Sequence, residues 1–114
     1  MYKMIKRGFL GGFELLVLLA LIRLGDEAYG APISEEIEAS SGRPVALSSV
    51  YVALGSLSRK GLVSSRRGEP TAARGGRAKT YFRVTAAGMT EARKSQRTLT
   101  ALWQGLPGLG GIRA

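Results

Sequence analysis

Ser48-Ser49-Val50-Tyr51-Val52-Ala53-Leu54-Gly55-Ser56-Leu57-Ser58-Arg59-Lys60-Gly61-Leu62-Val63-Ser64-Ser65-Arg66 changes its periodicity half-way. Val50, Leu54 and Leu57 recur at i, i+4 and i+7, the spacing of one buried helical face, with Ser48 as N-cap and Gly61 as the stop. Beyond Gly61 the helical period is lost, and Leu62 to Arg66 reads as a strand. Its antiparallel partner is Tyr81 to Val84, rich in aromatic and branched residues, with Thr80, Phe82 and Val84 alternating to one face. Gly68, Pro70, Gly75 and Gly76 fill the loop between them, roughly residues 67–78, which is longer than a tight hairpin turn; unstructured loops of about 12 residues are usually functional or mobile. That loop carries Arg67, Arg74 and Arg77, flanked by Arg66 and Lys79.

Upstream, Phe13, Leu16, Val17, Ala20, Leu21 and Leu24 stand at helical spacing, while Leu15, Leu18 and Leu19 fill much of the other side. This predicts a helix buried nearly all round and ended by Gly25. Tyr29-Gly30-Ala31-Pro32 opens a second helix with Ile33 and Ile37 inward, Ser34, Glu35, Glu36 and Glu38 toward water, and Ser40-Ser41-Gly42 closing it. Pro44 keeps the following linker extended. Downstream, Thr85 caps a last helix in which Met89, Ala92, Gln96, Leu99, Trp103 and Leu106 keep a 3-4-3-4-3 spacing, before Pro107 and four nearby glycines end regular structure.

The chain has 114 residues and 12.1 kDa, enough for one domain and one core. It contains no Cys and no His, which excludes a disulfide framework, a thiolate or imidazole metal site, and His- or Cys-based catalysis. Glu35, Glu36 and Glu38 read as a solvated face, and Gly75-Gly76-Arg77-Ala78-Lys79-Thr80 lacks the spacing of a phosphate-binding P-loop, so neither an enzyme nor a cofactor is expected. The 45% hydrophobic content argues against a disordered basic tail. At the N-terminus, Met1 to Arg7 followed by apolar residues imitates a signal peptide, but the apolar run Leu15–Ile22 is only 8 residues long; the expectation is a cytoplasmic protein that does not enter a membrane. A membrane-surface reading of Lys3, Lys6 and Arg7 beside Ile5, Phe9 and Leu10 would show in sedimentation with anionic liposomes.

The formal charge is +9, from 17 basic and 8 acidic residues, and it is uneven. Residues 1–60 hold 7 basic and 6 acidic side chains, residues 61–114 hold 10 and 2. Six of the 17 basic residues, Arg66, Arg67, Arg74, Arg77, Lys79 and Arg83, lie on the one hairpin. Clustered cations of this kind are the electrostatic footprint of a nucleic-acid binder. The order helix, helix, helix, strand, basic loop, strand, helix is that of a winged helix-turn-helix: mainly α with a small β-hairpin and an added C-terminal dimerisation helix. The expected division is an N-terminal arm or short helix (1–12), the winged helix-turn-helix (13–85, wing about 62–84), the dimerisation helix (86–106) and a flexible tail (107–114). Helix three then enters the DNA major groove. Its outward face presents Ser48, Val52, Gly55, Ser56 and Arg59, with Ser49 and Tyr51 on the flanks. The DNA-binding set is therefore Ser48, Ser49, Tyr51, Val52, Ser56 and Arg59 from the helix and Arg74, Arg77 and Lys79 from the wing, with Val52 suited to a thymine methyl. The rival reading is a basic winged-helix module that binds RNA or the DNA backbone without sequence specificity; a specificity ratio of roughly 10³ or more for one duplex separates the two.

Phe13-Glu14-Leu15-Leu16-Val17-Leu18-Leu19-Ala20-Leu21, Ala28-Tyr29-Gly30-Ala31-Pro32-Ile33, Ser49-Val50-Tyr51-Val52-Ala53-Leu54 with Lys60-Gly61-Leu62-Val63, and Gly75 through Gly88 together resemble the PadR family of bacterial transcriptional regulators, over about residues 10–105. The likeness is to the short class with one C-terminal helix. It implies a homodimeric repressor on a palindromic double-stranded DNA operator, a dimer interface between the last and first helices, and, in some members, a flat aromatic effector bound near it. The implied interface or effector-pocket residues are Phe13, Val17, Met89, Leu99 and Trp103; the 3-4 spacing independently suits Trp103 to a packed seam. Tyr51 falls on the family's recognition-helix tyrosine, and Arg77 and Lys79 on its basic wing-strand positions. Gly55 and Ser56 depart from the family, which often has Lys or Arg there, and this moves phosphate binding toward the wing.

Overall fold

A computed structural model describes residues 8–69 and 79–108. In chain order it contains α1 (Gly12–Leu24), a 3₁₀ turn (Gly25–Glu27), α2 (Gly30–Ser41), α3 (Leu47–Arg59), β1 (Val63–Arg67), β2 (Thr80–Val84) and α4 (Ala86–Trp103). The core lies where the first three helices meet the root of the hairpin. Val17, Leu18 and Leu21 of α1, Ile33 of α2, Val50, Leu54 and Leu57 of α3, and Leu62 are all fully buried. Each such side chain contributes roughly 1.5–3 kcal/mol of transfer free energy, before the entropy of ordering it is subtracted.

Local chemistry explains the boundaries. At the end of α3, Gly61 takes φ +77°. Its N–H donates to the Ser58 carbonyl at 3.0 Å, and Leu62 N–H donates to the Leu57 carbonyl at 3.0 Å. This is a Schellman ending, completed by the apolar contact it favours between two buried leucines, and it turns the chain directly into β1. β1 therefore runs one residue later than expected. The strands pair antiparallel with Val63 opposite Val84 and Arg67 opposite Thr80. β2 is tied on its other side as well, by Phe82 N–H donating to the Ala28 carbonyl at 2.8 Å. Thr85 caps α4 as expected: its hydroxyl oxygen accepts from Gly88 N–H at 3.0 Å while its O–H donates to the Gly61 carbonyl at 2.8 Å.

Four expectations change. α1 is not buried all round, because α2, α3 and the hairpin cover only part of it, and Leu16 and Leu19 are each 45% exposed. Ser34 does not face water: its hydroxyl donates to the Val45 carbonyl at 3.1 Å, and Glu38 accepts from Val45 N–H at 2.7 Å, so two α2 side chains hold the turn into α3. The N-cap of α3 lies two residues earlier than expected, at Ala46 rather than Ser48. α4 ends at Trp103 rather than Leu106, since Gln104 is extended and Gly105 takes φ +73°. Of the expected N-terminal arm and C-terminal tail, residues 1–7 and 109–114 lie outside the described residues.

Candidate nucleic-acid interface

α3 buries Val50, Ala53, Leu54 and Leu57, which turns the opposite side outward. Ser48, Ser49 and Arg59 are exposed there, and Val52 is 71% exposed. With Ala46 as N-cap and no acidic residue in the first turn, the positive end of α3 carries no capping side chain, an arrangement that suits an anion beside Ser48 and Ser49. Gly55 lies mid-helix on the same side, and a Cβ placed on it would have only the Arg59 guanidinium nearby, at 3.5 Å.

Two of the expected helix residues are engaged within the protein. Ser56 is half-buried, and its hydroxyl donates to the carboxylate of Glu14 on α1. Tyr51 leans over Gly30 at the start of α2, where a Cβ would stand 2.6 Å from the ring. The Tyr51 ring also lies 6.4 Å from that of Phe82 on the wing, so it joins α3, α2 and the hairpin while staying half exposed.

The root of the wing is a ladder of rings and cations. Lys79 places its ammonium 3.7 Å from the Tyr29 ring centre, Tyr29 meets Tyr81 edge-on at 5.4 Å and 70°, and the Arg66 guanidinium lies 4.7 Å from the Tyr81 ring centre. Contacts of this kind are worth roughly 0.5–1 kcal/mol each at exposed sites. Arg83 pairs with Asp26 at 3.1 Å, a second tie from β2 to the segment before α2. Lys79 thus sits on Tyr29 rather than reaching outward, while Arg66, Arg67 and Arg83 are exposed. Arg74 and Arg77 lie outside the described residues.

Glu14 is the residue that sequence reasoning missed. It lies 2.8 Å from the Lys60 ammonium as well as accepting from Ser56, and its side chain is only 19% exposed. Burial pushes its carboxyl pKa up, but hydrogen bonds from Lys60 and Ser56, the Lys60 charge and the Gly11 backbone N–H outweigh that, leaving it below the ordinary glutamate range. The available signal was a lone acid in the first turn of an otherwise apolar helix.

The chain matches the sequence profile of the Transcriptional regulator PadR-like family over residues 18–94. It is a member of that family. As a PadR-like protein it is a transcriptional regulator, not an enzyme. Among solved structures it is similar to a transcriptional regulator from Clostridium thermocellum (25% identity, 78% of this chain and 83% of that one, TM-score 0.66). It is also similar to a PadR family transcriptional regulator from Eggerthella lenta (25% identity, 86% and 83%, TM-score 0.66). Bacillus subtilis PadR in complex with operator DNA shares the fold, at 18% identity over 90% of this chain and 54% of that one, with TM-score 0.62. No protein of curated function matches the sequence. Among the described residues no helix is long and apolar enough to cross a membrane.

The residues expected at the PadR-like dimer interface or effector pocket are not brought together. Val17 is wholly inside the core, against α2 and α3, and has no surface to offer a partner or ligand. Phe13 packs at the core's edge and lines a shallow groove of about 350 Å³ with Glu14, Ser49 and Val52, beside the outward side of α3. Met89 is half-buried in the first turns of α4. Leu99 and Trp103 stand at the far end of the same helix, where Trp103 is 43% and Leu102 68% exposed.

Proposed function

We propose that this PadR-like regulator is a homodimeric repressor that reads a palindromic double-stranded DNA operator with α3 in the major groove while the wing holds the flanking backbone. The observation that carries this is the outward face of α3: Ser48, Ser49 and Val52 stand exposed beside an uncapped helix N-terminus, next to a hairpin with exposed Arg66, Arg67 and Arg83. Short hydroxyls and one methyl-bearing side chain suit base edges and a thymine methyl, while guanidinium groups suit phosphates. Tyr51 adds a half-exposed ring at the junction of helix and wing. Arg74, Arg77 and Lys79 of the same basic hairpin complete the proposed DNA-binding set.

The second copy is supported by the apolar surface that one chain leaves uncovered: Leu16 and Leu19 on α1, and Leu99, Leu102, Trp103 and Leu106 at the end of α4. Joining such faces removes them from water, at roughly 25 cal/mol per Å² before the cost of association. A small aromatic effector would stack near Trp103, at the end of that surface, and its binding would loosen operator contact. A cytoplasmic location goes with this role. The protein works without a metal or cofactor in this reading.

Selection of bound duplexes from a random pool tests the proposal. Enrichment of a two-fold symmetric sequence, with half-sites about 10–10.5 base pairs or a multiple apart, is the expected result. Recovery of duplexes with no common sequence would replace it with the backbone-binding reading. That alternative draws on one observation, that Lys60 at the C-cap of α3 is paired with Glu14, while the neighbouring hairpin exposes Arg66, Arg67 and Arg83.

A further inference from the structure

Glu14 sits at the third position of α1, whose N-cap, Gly11, has no side chain. An acid there suits the positive end of the helix, and the Gly11 backbone helps to lower its carboxyl pKa. Helix polarity accounts for that much. It does not account for the same carboxylate accepting from Ser56, 42 residues away, and pairing at 2.8 Å with Lys60, 46 residues away. Val52, Ser56 and the C-cap residue Lys60 follow one another at i, i+4 and i+8, so all three lie along one stripe of α3 and its cap, the stripe whose first member is 71% exposed. The acid therefore stands at the edge of the surface assigned to DNA, where a bare carboxylate would repel phosphate. Lys60 neutralises it and is in turn held by it. The adjacent Arg59 is exposed and has no acidic partner among the described residues.

We infer that Glu14 is a positioning residue of the DNA interface: it locks α3 to α1 through Ser56 and withholds the Lys60 ammonium from the phosphate backbone. This rests on α3 being the DNA-reading helix. The consequence is a recognition helix with a fixed orientation relative to α1 and one cation fewer for sequence-independent attraction. Random-duplex affinity is lowered more than operator affinity, because the former depends almost wholly on phosphate neutralisation. Glu14 thus raises the ratio between the two.

The test is the salt dependence of binding to a random-sequence duplex, measured on the full chain for the wild type, Glu14→Gln, and Glu14→Gln with Lys60→Met. Glutamine keeps the size and the acceptor for Ser56 but not the charge. Release of Lys60 to a phosphate steepens the slope of log K against log salt by about 0.9, an additional loss of about 3.5-fold between 50 and 200 mM salt. Adding Lys60→Met returns the slope to the wild-type value. A folded Glu14→Gln protein with an unchanged slope overturns the inference, because a merely structural role would not alter how many phosphates the protein neutralises. If Glu14→Gln gives no cooperative melting transition, Lys60→Met alone decides: a wild-type slope supports the inference, and a slope shallower by about 0.9 shows Lys60 already on a phosphate and overturns it. A wild type that binds random duplex but prefers no sequence removes the operator-reading role while leaving the slope comparison valid; one that binds no duplex overturns both.

Discussion

Gly88 and Gly55 both lie inside helices, and helix propensity treats them alike: alanine is favoured over glycine by roughly 0.5–1 kcal/mol in a helix. Their surroundings are opposite. Gly88, the third residue of α4, is buried against the start of β1, and a Cβ there would lie 2.6 Å from Val84 Cγ2 and in closer conflict with the Leu62 carbonyl oxygen. That carbonyl is held in place, since it accepts from Thr85 N–H at 3.0 Å and belongs to a fully buried leucine. Carbon atoms pack best at about 3.5–4.0 Å, so the first turn of α4 has to retreat by roughly 1 Å. Retreat strains the Thr85 cap and opens the packing under α4. Overpacking costs about 1–3 kcal/mol and a weakened N-cap about 0.5–2, so after the propensity gain Gly88→Ala is destabilising by roughly 1–3 kcal/mol. Gly55→Ala meets only the end of Arg59 at 3.5 Å, an ordinary separation, and keeps the propensity gain. At roughly 4–8 °C per kcal/mol for a domain near 100 residues, Gly88→Ala lowers Tm by about 5–20 °C and Gly55→Ala raises it by a few degrees. Thermal unfolding followed by far-ultraviolet circular dichroism reads both, at one fixed protein concentration because the proposed self-association would make Tm concentration-dependent. A Gly88→Ala protein that melts at or above the wild-type temperature would show that α4 is not seated on Leu62, and the reasoning would fail. Gly55→Ala carries a second readout: a methyl on the face proposed to meet DNA weakens operator binding while the protein becomes more stable.

Trp103→Ala removes the largest exposed ring of α4 and shifts the monomer–dimer equilibrium toward monomer by at least tenfold, which sedimentation at several concentrations measures; an unchanged equilibrium would take Trp103 out of the interface. Glu14 has its folded-state pKa below its unfolded one, so its contribution to stability is present above the ordinary value near pH 4.3 and is lost as pH falls through the lower folded value. Glu14→Gln accordingly lowers stability at pH 7 and flattens the acid limb of Tm against pH; parallel limbs for the two proteins would refute the assignment. Replacing Arg77 and Lys79 together with Ala weakens operator and random DNA alike and reduces the salt slope by about 0.9 for each phosphate no longer neutralised, whereas Ser49→Ala reduces operator binding more than random binding.

Helical spacing together with caps and glycine stops located all four helices, and the loss of that spacing with aromatic and branched residues located both strands, because a half-buried helix such as α3 sets its apolar spacing at 3.6 residues per turn. Gly61, Gly42 and Thr85 were legible as boundaries for the same reason, since a positive φ or a hydroxyl cap is a local requirement of the backbone. The charge asymmetry was equally legible, as a sum over residues needs no coordinates. Meetings between distant residues were not. Nothing in the spacing of Ser34 distinguished it from the water-facing positions beside it, and its burial follows from the turn at Val45 folding back over α2. Val17 satisfied the pattern of an interface residue as well as that of a core residue, and only the placement of α2 and α3 on that side of α1 assigned it to the core.

The sequence by itself determined the element order, the stops of the first three helices, the basic hairpin and the absence of His and Cys, all of which depend on residue type and on separations of a few positions. Tertiary structure decided that Lys79 lies on Tyr29, that Tyr51 leans over Gly30, and that Glu14 holds Ser56 and Lys60. These depend on how helices and hairpin pack in three dimensions, and a carboxylate can meet a partner 46 residues away only after the core has brought α1 against α3.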